Sequence, residues 1–233
     1  MDKRSSLRLN PLSVNLTAGE PSIEHEGFEI ATEAWVPWLQ IGLDHLGAAK
    51  RARAELEAAF AEGDQPAKFE ALGAETRAGL VAVATAAFAV DAFYAATLER
   101  VIVPPETQAA WKKNRTARPA HVVEVLKLAY AVKGGVMSDL ARGVRDVYRF
   151  RDWAVHPPAG FRPVRLHPVL KEGVEWRTVA FSSDNAYIAV GIAEALITAC
   201  LENPRSDDPE LVKWATSARR LVPERRHNGS VER

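Results

Sequence analysis

The chain has 233 residues, 47% hydrophobic and 26% charged, with thirty Lys and Arg balanced by thirty Asp and Glu. This composition excludes a disordered chain over most of the length, and a domain of this size buries about 70–75% of its unfolded surface without staples. The zero balance excludes a uniformly basic DNA packer but leaves room for a local basic face.

From the N-terminus, Met1-Asp2-Lys3-Arg4-Ser5 has no apolar run behind it, so no secretory signal is expected and a cytoplasmic location follows. Residues 1–30 read as an extended or β arm. Leu7 and Leu9, then Leu12, Val14 and Leu16, alternate at period two around Asn10-Pro11. Glu20, Glu24, Glu26, Glu29 and Glu33 form an acidic, solvated patch. A first helix is expected from Thr32 or Pro37 to Phe60, stopped by Gly63. Its stripe holds Trp38, Ile41 or Gly42, His45, Ala49, Leu56 and Phe60, with His45 a packing residue. Asp64-Gln65-Pro66 starts a second helix running to Val101, with Gly73 and Gly79 as weak points. Within it, Ala78–Leu98 is long enough to cross a bilayer. It is rich in Ala rather than Leu and carries Asp91 near its middle, so we read a core helix and no membrane association.

Pro104-Pro105 ends that helix, and a basic connector follows with Lys112, Lys113, Arg115 and Arg118 beside Trp111. It is expected as a solvated loop, with contact to RNA phosphate through Lys112 and Lys113 as its functional reading. A third helix covers about 119–133, closed by Gly134-Gly135. A fourth covers about 139–155, capped by Ser138-Asp139 and ended by Pro157-Pro158. Val164, Leu166, the turn Lys171-Glu172-Gly173, Val174, Trp176 and Thr178 predict a β-hairpin over 163–181. Ser182-Ser183-Asp184 opens a fifth helix to Leu201, and 209–222 makes a short sixth. The single cysteine, Cys200, lies in the fifth helix, so an internal disulfide or a cysteine-based zinc site is excluded. The expected fold is all-α: an antiparallel bundle of four to six helices over 31–222. A small β-appendage comes from residues 5–16 near the 163–181 hairpin, and 223–233 is a polar tail. The remaining Trp residues, at 35, 38, 153, 176 and 214, read as packing or interface residues.

The chain has no phosphate-binding Gly-rich loop, HExxH, EF-hand loop or GxSxG, and its six histidines show no ligand spacing, so neither metal nor cofactor is expected. The informative stretch is the fourth helix. Its stripe of Leu140, Val144, Val147 and Val155 places Arg151 where a hydrophobe belongs. A guanidinium there needs a carboxylate, a polar cleft or a partner chain. Arg142, Arg145 and Arg149 take the opposite face, beside Asp139 and Asp146. Asp91, the sole charge in its apolar run, is either a capped core carboxylate or the partner of Arg151.

Arg151-Asp152-Trp153-Ala154-Val155-His156-Pro157 resembles the R-x4–6-H motif of HEPN domains, including the polar residue after the Arg. The resemblance in helix order spans about residues 70–203. Read loosely, the motif occurs five times in the chain, but only Arg151 and Arg149, both paired with His156, sit at a helix end. Those domains are helical bundles, many of them metal-independent endoribonucleases acting as dimers whose motifs share a cleft. By resemblance, Arg151 stabilises phosphate charge, His156 does acid/base work and Asp152 orients one of them, while Arg149, Arg145, Lys112 and Lys113 contact the RNA. A straight helix turns about 140° over five residues, which leaves Arg149 as the alternative partner of His156 unless the helix end unwinds. Pro158 stands where some members carry Tyr. The implied role is that of a toxin or phage-defence nuclease, with RNA, a second copy and a nucleotidyltransferase-type antitoxin as partners. The alternative is a non-catalytic helical dimer that binds RNA, a nucleotide or a protein.

Overall fold

The computed structural model describes residues 33–156 and 163–223 and, before them, the backbone of four short strands. The chain divides into two compact units, Met1–Glu33 and Ala34–Arg233. In the first, β1 (Ser6–Arg8) pairs antiparallel with β4 (Glu29–Ala31), and β2 (Ser13–Asn15) with β3 (Ser22–Glu24). Leu7 stands opposite Ile30 and Val14 opposite Ile23. The described strands of the arm thus pair with one another, since nested local pairing closes shorter loops. Leu9, Leu12 and Leu16 lie outside the described residues.

The second unit is mostly helical, with eight helices among the described residues. In α1 (Trp35–Glu62), Gly63 caps the C-terminus at φ 76°, a left-handed geometry that Gly adopts without a Cβ penalty. Its buried face runs through Trp35, Leu39, Gly42, Leu46, Ala49 and Leu56. The expected stripe members Trp38 and Phe60 fall at its edge and are exposed. Asp64 caps α2 (Gln65–Leu98), accepting from the Ala67 N–H at 3.0 Å. Gly79 does not break α2. A Cβ there would stand 1.9 Å from the Phe181 carbonyl oxygen, so glycine permits the close approach of that chain segment.

The connector after Pro104 is helical rather than a loop: α3 spans Pro105–Asn114, with Arg115 in the left-handed region at its C-cap. The third expected helix ends early. After α4 (Arg118–Ala129), Tyr130 turns extended and pairs with Pro204, while the Arg205 N–H donates to the Ala129 carbonyl at 3.0 Å. Gly134 and Gly135 then open α5 (Gly134–Val155) instead of closing α4, and Ser138-Asp139 lies inside it. The hairpin is shorter than expected. β5 (Arg165–Leu166) pairs with β6 (Gly173–Val174), and from Trp176 the chain forms α6 (Trp176–Ala180). α7 (Ser183–Glu202) and α8 (Pro209–Arg219) complete the unit, the latter capped by Asp208.

The largest core gathers Trp35, Leu39, Phe93, Leu126, Val144, Tyr148, Leu196 and Ile197 from α1, α2, α4, α5 and α7. A satellite of Leu56, Ala71 and Leu170 lies beneath the hairpin. The helices α2 and α7 are each long and apolar enough to cross a membrane by length and composition. Within their most apolar windows, 56% and 44% are buried inside the protein.

Candidate functional site

The buried face of α5 consists of Met137, Ala141, Val144, Val147 and Tyr148, and Arg151 continues it one turn later. Val155, expected on the stripe, is 51% exposed, so the apolar seam ends at Tyr148 and Arg151 sits at its margin. The Arg151 side chain keeps 27% of its surface exposed, and its guanidinium lies 5.1 Å from the centre of the Tyr148 ring. Its Nε is 2.9 Å from Asp152 Oδ1 as an ion pair, but the angle makes no hydrogen bond. That shielded N–H is left without an acceptor.

Asp91 does not meet Arg151. Its Oδ1 accepts from Arg118 Nε at 2.9 Å and from the Tyr148 hydroxyl at 2.6 Å. Tyr148 intervenes, with its hydroxyl on Asp91 and its ring against Arg151. Burial first, then the bond to Asp91, pushes the Tyr148 pKa up and keeps the phenol a donor. Arg118 also lies over the Tyr94 ring at 4.2 Å. Burial opposes its charge, but the bond to Asp91 and that carboxylate's charge outweigh it and raise its pKa. The result is a chain of contacts from Arg118 through Asp91 and Tyr148 to Arg151, joining α4, α2 and α5.

His156 leaves the helix at φ −125°, ψ 69°, with its N–H still donating to the Asp152 carbonyl at 2.7 Å. The helix end thus unwinds at the histidine. Its side chain is exposed and makes neither ion pair nor hydrogen bond with Arg151 or Arg149 among the described residues; Pro157 and Pro158 lie outside them. Arg149 pairs with Asp146 at 2.9 Å and lies over Trp153, while Arg145 is exposed. Lys112 and Lys113 are exposed on the last turn of α3, and neither bonds to any motif residue. Trp111, expected beside the basic run, stacks on His121 with centroids 4.3 Å apart and donates to Glu124. Trp153 packs edge-on between Phe150 and Trp176.

A second polar cluster went unnoticed in the sequence. Glu75, 1% exposed on α2, accepts at Oε1 from Arg53 Nε at 3.0 Å, Arg53 Nη2 at 2.7 Å and the Ser183 N–H at 2.7 Å. Arg53 also reaches Asp184 Oδ2 at 3.2 Å. Against the free oxygen Oε2, His167 Nε2 stands at 3.7 Å, too far for a hydrogen bond, and both atoms are buried without partners. The Val169 and Leu170 N–H groups lie 3.3 and 3.4 Å from His167 Nδ1, so Nδ1 is the acceptor and the proton belongs on Nε2. Burial lowers the His167 pKa below its ordinary 6.5, Glu75 works against that, and Arg53 adds to the lowering. The signal was present: Glu75 falls on the buried line Ala71, Glu75, Gly79, Ala82 and Ala86 of α2 and interrupts it, whereas Arg151 stands only at the margin of its own seam.

Among the described residues no three His, Cys, Asp or Glu side chains converge as metal ligands. Cys200 is buried, and burial pushes its thiol pKa up. Comparison with protein-family models, curated proteins and solved structures returns no match.

Proposed function

We propose that the protein is a metal-independent endoribonuclease of HEPN type. Its helices form the antiparallel bundle of that family, and it acts in the cytoplasm as a toxin or phage-defence nuclease. The observation that carries this reading is the placement of Arg151. It is held between the Tyr148 ring and Asp152 with a shielded N–H lacking an acceptor, five residues before a histidine at an unwound helix end. An anionic phosphoryl oxygen satisfies such a donor, and a fork of N–H groups suits it. In the reaction the RNA 2′-hydroxyl attacks the adjacent phosphorus and gives up its proton to a base. The P–O5′ bond breaks, O5′ takes a proton from an acid, and a 2′,3′-cyclic phosphate remains. His156 serves as one of these groups, and its counterpart in a second copy of the chain serves as the other. Arg149, Arg145, Lys112 and Lys113 extend the contact along the strand, and a nucleotidyltransferase-type antitoxin is the partner we propose for restraint.

A non-catalytic RNA- or nucleotide-binding role is favoured by one observation: Asp152 already holds Arg151, and His156 bonds to neither arginine. Incubation of purified protein with total RNA in EDTA separates the two. We expect fragments ending in 2′,3′-cyclic phosphate, cut at least ~10²-fold more slowly by His156→Ala. Loss of cleavage in Arg151→Ala but not Arg149→Ala assigns the working arginine. RNA left intact but bound by the wild type, with binding lost in Arg151→Ala, establishes the binding module instead.

A further inference from the structure

We propose that the cavity between the end of α2 and the helices α3 and α4 binds a small amphipathic carboxylate. The cavity volume is about 580 Å³, within the range of pockets that hold small organic ligands. Leu98, Val101, Ile102 and Val103 give it an aliphatic side, and the stacked rings of Trp111 and His121 supply an aromatic one. Gln108 Nε2 donates to the Val103 carbonyl at 3.0 Å, which fixes the connection between α2 and α3 and leaves the cavity preformed.

Two features point to an occupant. Ile102 is 93% exposed at this cavity, a large aliphatic side chain that gains only if something apolar covers it. His121 Nε2 is shielded from water and has no hydrogen-bond partner, an arrangement that favours the arrival of a polar group. Among the described residues that line the cavity, Lys112 carries the one full charge and none is acidic. One cation and one imidazole donor suit the single charge of a carboxylate. The aliphatic side suits a hydrocarbon or aryl body better than a polar nucleobase edge. Leu98 lies seven residues beyond Asp91, about 10 Å along α2, and Arg118 stands less than one turn before His121 on α4, so the cavity adjoins the Arg118 end of the Arg118–Asp91–Tyr148–Arg151 chain without being lined by its residues.

Calorimetric titration of the intact protein with phenylbutyrate and octanoate, against phenylbutanol as the uncharged control, tests this. We expect both acids to bind and the alcohol to bind about tenfold more weakly. Lys112→Gln, at an exposed position, and His121→Phe, which keeps a ring against Trp111, each reduce acid binding toward that of the alcohol. His121→Phe, which touches no residue assigned to RNA, should leave cleavage of RNA by the same preparation unchanged. The proposal is overturned if neither acid binds up to about 10 mM, if alcohol and acid bind alike, or if Lys112→Gln leaves acid affinity unchanged. Tighter binding of AMP than of either acid, with the same sensitivity to both variants, reassigns the cavity to nucleotides and also overturns it.

Discussion

Two charged clusters in the same helical unit solve the burial of an arginine in opposite ways. Around Glu75 the guanidinium of Arg53, its side chain 13% exposed, is packed with its carboxylate, a helix N-terminus and a histidine, and Asp184 is the member most open to water. At the end of α5, Arg151 leans on an aromatic ring with a neighbouring carboxylate at its side and solvent within reach. The first arrangement holds α1, α2, α7 and the β5–β6 hairpin in one place, and any loss strands a buried charge. The second leaves a cation only partly committed, which is what an anion-binding site requires. Stability and function therefore separate by residue, and each half of that contrast is open to attack.

The largest effect falls on the enclosed cluster. Glu75→Ala removes the acceptor of Arg53 and of the Ser183 N–H together and leaves the guanidinium facing the core. Breaking a buried pair in this way costs about 3–5 kcal/mol. Urea unfolding should show that loss as a large drop in midpoint. A change below about 1 kcal/mol means that water or Asp184 already satisfies Arg53 and the cluster is not a structural lock.

The same cluster shows how much of the molecule was legible in advance. The long helices, the Asp64 cap and the Gly63 stop follow from local rules, because each depends on residues within one or two turns. The Gly134-Gly135 pair misled because a helix end was decided elsewhere, by Tyr130 pairing with Pro204 seventy-four residues on. At the site, Arg151 stood out as a charge in an apolar stripe, and the structure does hold it half-buried. Its partner was not legible. Periodicity says that a carboxylate on α2 must be neutralised, but not that Arg118 and Tyr148 reach Asp91 before Arg151 does. Glu75 interrupts its stripe just as plainly, yet among so many polar neighbours near the start of α2 the interruption blends in. Arg53 and His167, which complete the cluster, come from segments far away in sequence.

A pH titration sharpens the contrast next. Burial holds the folded His167 below its ordinary 6.5. Between that value and 6.5 the unfolded chain takes up a proton that the native state refuses. Unfolding free energy therefore falls as the pH drops, and the contribution is fully present only above 6.5. His167→Asn keeps an acceptor for the Val169 and Leu170 N–H groups but cannot titrate. Urea midpoints measured from pH 8 to pH 5 should decline more steeply in the wild type than in this variant. Parallel declines mean that His167 is protonated in the native state and bonded to Glu75, so that the gap seen at Nε2 closes in acid.

The smallest effect is expected at the end of α5, and it is the most telling for function. Arg151→Ala removes a side chain that keeps a quarter of its surface in water and pairs with an exposed neighbour. Its stability cost should stay near 0.5 kcal/mol. Asp91→Asn retains an acceptor for Tyr148 but gives up the charge facing Arg118, for about 1 kcal/mol. If Arg151→Ala costs as little as this while abolishing RNA cleavage or binding, the guanidinium is held there for a ligand rather than for the fold. A loss of about 2 kcal/mol or more in Arg151→Ala places that residue with Arg53 as a structural cation, and the contrast between the two clusters disappears.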